Sequence, residues 1–133
     1  MAANYSSDPA QTKANLMSPT VNFTYSAKLE RVIDGDTAVL SIDLGFNVCT
    51  TQHVRMLGYN APEIHKSHAA DGVRAKAELE MLLSGKSLIV TTTREFSQTF
   101  ARYLANVFVV TSSGAESVSE HMIQAGFDVP KGD

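Results

Sequence analysis

The fold is decided by residues 25–44, which read YSAKLERVIDGDTAVLSIDL. Polar and apolar residues alternate on either side of the Asp-Gly-Asp turn at residues 34–36, with Leu40, Ile42 and Leu44 on one face of the second run. Alternation with a period of two predicts β-strands that bury one face, and Asp-Gly is a common turn signal. The stretch therefore predicts two strands joined by a tight turn.

Three further strands are predicted downstream, at residues 52–57, 88–93 and 103–110. In the first of these, Val54 and Met56 share one face of the strand. Because successive side chains of a strand point to opposite faces, Arg55 is expected to point away from the face that the core covers.

Two helices are predicted between and after these strands. Asp71 is expected to cap the first helix, which ends before Gly85. The apolar residues of this helix are predicted to share one face, at Ala75, Leu79, Leu82 and Leu83. The capping-box pattern at residues 117–120 predicts the start of the second helix, and Gly126 its end. Three strands, a helix, two strands and a helix predict a mainly β domain, a five-stranded OB-fold barrel with two packed α-helices.

The composition sets bounds on the class of protein. With 133 residues the chain has room for one domain, predicted at residues 23–133 after a polar N-terminal tail at residues 1–22. Such a tail is expected to be disordered on its own. We expect no membrane span, because no apolar run approaches the ~20 residues required, and no secretory signal is visible. The single cysteine, Cys49, excludes an internal disulfide and suits a reducing compartment.

The net charge of −3, from 11 Lys and Arg against 14 Asp and Glu, gives no general surplus of cations for nucleic acid. Any contact with nucleic acid must therefore be local. Asp34 and Asp36 at the turn offer oxygen ligands for a hard divalent metal, and Arg55 offers a cation for a phosphate. The simpler alternative is that the two acids only form the turn, that Arg55 and Arg102 only pair with surface acids, and that Pro62-Glu63 only ends a strand.

Three motifs follow one another along the chain: Ile33-Asp34-Gly35-Asp36-Thr37, Arg55 through Glu63, and Arg102-Tyr103-Leu104-Ala105. In this order and context they resemble the thermonuclease (staphylococcal nuclease-like) family, over roughly residues 25–129. The run Ile42–Phe46 and the end of the chain soon after Pro130 resemble its short, phage-associated members.

The resemblance implies a calcium-dependent, sequence-nonspecific endonuclease that hydrolyses DNA or RNA to products with 3′-phosphate ends. It implies that Asp36, Asn60 and the backbone carbonyl of Ala61 bind Ca²⁺, for which other divalent metals are alternatives. Asp34 either shapes the turn or supports a residue that binds the metal.

The same resemblance implies the catalytic groups. Glu63 matches the glutamate treated as general base for the attacking water, whereas Arg55 and Arg102 match the arginines that bind the scissile phosphate and stabilise its transition state. DNA or RNA would be the substrate, and the host cytoplasm the location if a phage encodes the protein.

Two departures from the family pattern support a second hypothesis. Asn60 replaces a frequent aspartate, and residues 98–102, QTFAR, stand where Lys-Tyr-Gly-Arg is common. A lysine and a tyrosine hydroxyl that would hold an adjacent phosphate are therefore missing. The alternative is a catalytically weak or inactive nuclease-fold module that serves as a structural component of a phage particle, with a protein partner for the N-terminal tail.

The histidines suggest a weaker alternative. His65 and His68 lie three residues apart near Glu63, a spacing that also occurs in zinc sites, but no complete ligand set accompanies them. A polar loop is the simpler interpretation. His53 and His121 are predicted to be ordinary residues of a strand and of a helix surface.

Overall fold

The Asp-Gly-Asp turn joins two strands, as the alternation predicts, and six strands with two helices make up the described chain. The structure is a computed structural model that describes residues 22–64, 69–97 and 102–130. In chain order the elements are β1 Thr24–Asp34, β2 Thr37–Gly45, β3 Val48–Met56, α1 Ala69–Leu83, β4 Leu88–Ser97, β5 Arg102–Thr111, β6 Gly114–Ser117 and α2 Val118–Gln124.

Five of these strands form a closed barrel. The sheet order is β3-β2-β1-β4-β5-β6, in which each neighbouring pair is antiparallel. A short parallel pairing of β3 with β5, including Arg55 opposite Leu104, closes the barrel. The predicted mainly β class, a five-stranded OB-type barrel with two helices, is thereby confirmed. The sequence did not predict the short strand β6.

Strand bounds differ from the predicted ones where the alternating pattern is weak. β3 begins at Val48 instead of residue 52, and β4 continues to Ser97. The residues that β3 gains pair with the end of β2, for example Cys49 with Asp43. Partner strands thus extend pairing into segments whose own pattern is ambiguous.

Helix α1 covers the barrel with the face that the sequence predicted, since Ala75, Leu79, Leu82 and Leu83 are buried. The prediction that Asp71 caps this helix is wrong, because the helix already begins at Ala69. Asp71 lies in the first turn instead, where a negative charge interacts favourably with the helix dipole.

The start of α2 agrees with the capping-box prediction. Ser117 is the N-cap in an extended conformation, and its hydroxyl accepts a hydrogen bond from the Glu120 amide at 3.3 Å. Gly126 follows with a φ of 89°. Neither helix of the described ranges is long and apolar enough to cross a membrane. The predicted tail, His65 and His68 lie outside the described residues, apart from Asn22 at the end of the tail.

His121 is more than the ordinary surface residue that the sequence predicted. Its Nε2 lies 2.7 Å from Glu78 Oε2 on α1, and its Nδ1 lies 3.0 Å from Glu116 Oε2 on β6. The hydrogen bond with Glu78, with a smaller contribution from Glu116, raises the pKa of His121 against the opposing effect of partial burial. Both ring nitrogens donate only in the imidazolium form, which therefore links α1, β6 and α2.

This network predicts a pH dependence of stability. A pKa that is higher in the folded than in the unfolded chain stabilises the fold fully below about pH 6.5, the ordinary pKa of histidine. That contribution is lost as the pH rises through the raised pKa. Urea unfolding between pH 6 and pH 9 should show stability falling with pH, and His121→Gln should flatten this part of the profile. An unchanged slope in the variant would contradict the assignment.

Candidate active site

The candidate site lies at the end of the barrel where the β1–β2 turn meets the end of β3. The Met56 amide donates to the carbonyl of Asp36 at 2.8 Å, and the Leu57 amide donates to the carbonyl of Ala105 on β5 at 2.8 Å. These bonds fix the chain as it leaves β3 and enters residues 57–64. The first two sequence motifs thus meet at this end of the barrel.

Asp36 is buried, with 7% of its surface exposed. Its Oδ2 accepts a hydrogen bond from the Ala61 amide at 2.9 Å, and its Oδ1 accepts one from the Thr37 hydroxyl at 3.0 Å. Arg55 Nη2 lies 3.4 Å from the same Oδ2. The Asp36 carboxylate therefore links the β1–β2 turn to the Ala61-Pro62-Glu63 sequence of the second motif.

Arg55 is surrounded by acceptors from its own chain. Nη1 donates to the carbonyl oxygen of Met56 and, at 3.0 Å, to that of Tyr59. Nη2 donates to Asn60 Oδ1 at 3.1 Å, in addition to its ion pair with Asp36. The guanidinium side chain is 20% exposed. These hydrogen bonds hold the loop of residues 56–60 around the guanidinium of Arg55. The planar guanidinium suits this role, because its N–H donors point in fixed directions.

Tyr59 supports the turn from beneath. Its hydroxyl donates to the carbonyl of Gly35 at 2.7 Å, and the side chain is buried. Burial is the largest cause that raises the pKa of Tyr59, the negative charge of Asp36 raises it further, and Arg55 opposes both. Tyr59 therefore remains a neutral hydrogen-bond donor over the physiological range.

Gly35 allows the β1–β2 turn to pack closely against α1. A Cβ at position 35 would lie 2.6 Å from the Cβ of Ala75 and 2.9 Å from that of Ala61. Only a residue without a side chain fits there, since real Cβ contacts are not that short. The glycine of the Asp-Gly-Asp motif is thus required for the packing of the turn against Ala75 and Ala61.

Asn60 joins two parts of the molecule. Its backbone N–H donates to Asp128 Oδ1 at 3.0 Å, and its backbone carbonyl accepts from the Val129 amide at 2.7 Å. Its side-chain Nδ2 lies 3.3 Å from the carbonyl oxygens of both Val129 and Pro130. Asn60 is therefore bonded to the C-terminal segment on one side and to Arg55 on the other.

Glu63 has an exposed side chain at the end of this segment. Its backbone packs against α1, because a Cβ at Gly72 would lie 2.7 Å from the carbonyl carbon and oxygen of Glu63. Pro62, next to it, is buried. Glu63 is thus an exposed residue on a tightly packed backbone.

The structure brings Asp36, Arg55, Asn60 and Ala61 into contact and places Glu63 two residues further along the same segment. Asp34 ends β1 and pairs with Thr37 across the turn. The backbone of Arg102 begins β5, opposite Ser97, but its side chain lies outside the described part of the chain. Its predicted convergence with the other residues stays a prediction.

The donor set fits a hard cation in part. The Asp36 carboxylate has the oxygen chemistry that Ca²⁺ prefers. Ala61 presents its amide N–H to Asp36, and Asn60 Oδ1 accepts from the cationic Arg55. Within the described ranges no group of three or more His, Cys, Asp or Glu side chains is arranged to hold a metal. Metal binding by this set stays a prediction.

Two residues of the site escaped the sequence analysis, Tyr59 and Asp128. Neither belongs to a periodic pattern, and Asp128 lies 68 positions from Asn60, its partner. No local sequence signal could have paired Asp128 with Asn60.

In comparisons with known proteins, no family model and no curated protein matches this chain. The fold defines a barrel of OB type, and the thermonuclease resemblance rests on the motif residues alone.

Proposed function

We propose that this protein is a divalent-metal-dependent, sequence-nonspecific endonuclease that hydrolyses DNA or RNA and leaves 3′-phosphate ends. The supporting observation is the pairing of the buried Asp36 carboxylate with Arg55 at 3.4 Å. The same carboxylate accepts a hydrogen bond from the amide of Ala61, two residues before Glu63. An acid and a permanent cation held together at one end of the barrel are groups that phosphodiester hydrolysis needs.

Each residue has a distinct role in this proposal. Asp36 would hold the metal, which when bound supplies positive charge against the phosphate. Glu63, on the exposed side of the segment, would accept a proton from the attacking water, for which a carboxylate within reach suffices. Arg102 would stabilise the negative charge that develops on the phosphate. Arg55 would do the same with any guanidinium N–H that turns from its acceptor in the protein to the phosphate.

The proposal is tested by cleavage of supercoiled plasmid and of single-stranded DNA and RNA, with Ca²⁺ and with a chelator. We expect cutting that requires the metal and that Glu63→Gln and Arg102→Ala each reduce by at least about 100-fold, by analogy with the loss of a transition-state donor or a general base. Glu80→Gln, an exposed glutamate of α1, is the matched control and should cut normally. Equal cutting by all variants would indicate a contaminant and contradict the proposal.

A second candidate function is favoured by the contacts of Arg55. Both of its Nη atoms already donate to the protein, so the guanidinium acts as an internal clamp. In this proposal the domain is a nuclease-fold module without turnover, a structural component of a phage particle whose N-terminal tail binds a protein partner. Folded protein that cuts nothing over a wide range of metals and pH would support it against the nuclease.

A further inference from the structure

We propose that Asn60 is a positioning residue: it fastens residues 127–130, here called the C-terminal strap, beside the candidate site and thereby orients Arg55. This role takes the place of the metal ligation that the thermonuclease resemblance implies. The inference concerns how the site is held together, so it stands whether or not the chain cuts nucleic acid.

The strap is anchored at both of its ends. Phe127, at its start, is packed against the core, its amide donates to the carbonyl of Met122 at 3.0 Å, and Arg74 lies 6.0 Å from its ring centroid. At the other end, the bonds of Asn60 with Asp128 and Val129 run in both directions between the two segments. The strap therefore links the end of α2 to the loop that follows β3.

The side chain of Asn60 can satisfy this arrangement in one orientation only. Two carbonyl oxygens, of Val129 and Pro130, lie 3.3 Å from one end of the amide, so that end must be the donating NH₂ group. The other end is then the oxygen, and it faces Arg55 Nη2 at 3.1 Å. The planar side-chain amide of Asn60 is thus hydrogen-bonded to two carbonyl oxygens of the strap and to Arg55 at the same time.

An aspartate cannot replace the amide in this position. A carboxylate would place an oxygen against the two carbonyl oxygens, which offer no hydrogen to it, although it would still attract Arg55. A metal at Oδ1 would have to share that oxygen with a guanidinium of the same charge sign. The geometry thus explains an amide at position 60 and opposes its use as a cation ligand.

The decisive variant is Asn60→Asp, which restores the charge that a metal would favour and removes the donor that the strap requires. We expect the Val129 amide to exchange its hydrogen about tenfold faster, since its carbonyl partner remains but its neighbouring side-chain bonds are lost. Chymotrypsin should cut more readily after Phe127, and the side-chain NMR signals of Arg55 should move. Asn47→Asp, at an exposed asparagine of the β2–β3 turn, controls for the added charge.

A second pair of variants keeps the test decisive if Asn60→Asp folds poorly. Asp128→Ala removes the acceptor of the Asn60 amide, whereas Asp128→Asn retains an oxygen acceptor. Only Asp128→Ala should speed exchange in the strap and move the Arg55 signals. Asp43→Ala removes a similar carboxylate bond, to the Gly45 amide at 2.8 Å, and should leave the strap unchanged.

Calcium titration by calorimetry separates the two roles of Asn60. Tighter calcium binding by Asn60→Asp, with a strap that stays protected and unchanged Arg55 signals, would overturn the positioning role and restore metal ligation. Loss of strap protection in both Asn60→Asp and Asp128→Ala supports it. Absence of nuclease activity in the wild-type protein would refute the proposed function but would leave this result intact.

Discussion

Replacing Asp36 with alanine is expected to lower the free energy of unfolding by about 3 kcal/mol, the lower end of the loss from breaking a buried ion pair. The change leaves Arg55 without its negative partner and the Ala61 amide without its acceptor. The lower end applies because the Arg55 side chain is still 20% exposed and water can screen part of its charge.

Urea unfolding of the wild type and of three variants measures this prediction. Asp36→Asn retains an oxygen for the Ala61 amide and loses only the charge, so its loss should be clearly smaller than that of Asp36→Ala. Asp43→Ala removes an exposed carboxylate bond at the far end of the barrel and should cost about 1 kcal/mol. Equal losses for Asp36→Ala and Asp43→Ala would show that Asp36 does not hold the site together.

In the proposed nuclease, the same Asp36→Ala protein should lose metal-dependent cleavage even at temperatures where it remains folded. A variant that is destabilised but cuts at the normal rate when folded would assign Asp36 to structure alone. Stability and activity together therefore separate the two roles of this carboxylate.

Replacing Gly72 with alanine is expected to destabilise the protein by about 2 kcal/mol, although alanine is about 1 kcal/mol better than glycine inside a helix. The added Cβ would lie 2.7 Å from three backbone atoms, two of Glu63 and one of Ile64. Backbone atoms cannot rotate away as the end of a side chain can, so the helix and the segment must separate. The sign of the effect is thus opposite to that expected from helix propensity.

Thermal unfolding of Gly72→Ala beside Val73→Ala tests this sign. Val73 is the next residue of the same helix and is 55% exposed, so its replacement should be neutral or slightly stabilising. If Gly72→Ala proves as stable as the wild type, the close packing of α1 on the Glu63 backbone is wrong. In the proposed nuclease the displaced Glu63 should also lower the cleavage rate of the folded Gly72→Ala protein.

Much of the fold was predictable from local pattern. Alternation over residues 25–44 identified β1, the Asp-Gly-Asp turn and β2, and the apolar spacing of Ala75, Leu79 and Leu82 identified the buried face of α1. Side-chain direction in a strand or a helix depends on neighbours along the chain, so periodicity contains this information. Ser117 could likewise be identified as a helix cap, because its partner lies three residues away.

The errors lie where partners distant in sequence decided the outcome. β6, Gly114–Ser117, is short and polar, and it forms by pairing with the end of β5. Arg55 does turn its head group from the core, as parity predicts, but its contacts follow from how residues 56–60 fold back around it. His121 acquired its two carboxylate partners from α1 and β6.

The sequence by itself determined the barrel class, the order of the five barrel strands and the two helices, and the set of candidate residues, because each depends on local spacing or on motif composition. Only the tertiary structure decided that β3 and β5 close the barrel and that Asn60 is bonded to the C-terminal strap. Contacts across tens of residues form where they bury surface and satisfy polar groups best. That condition belongs to the whole packed chain and to no segment of it.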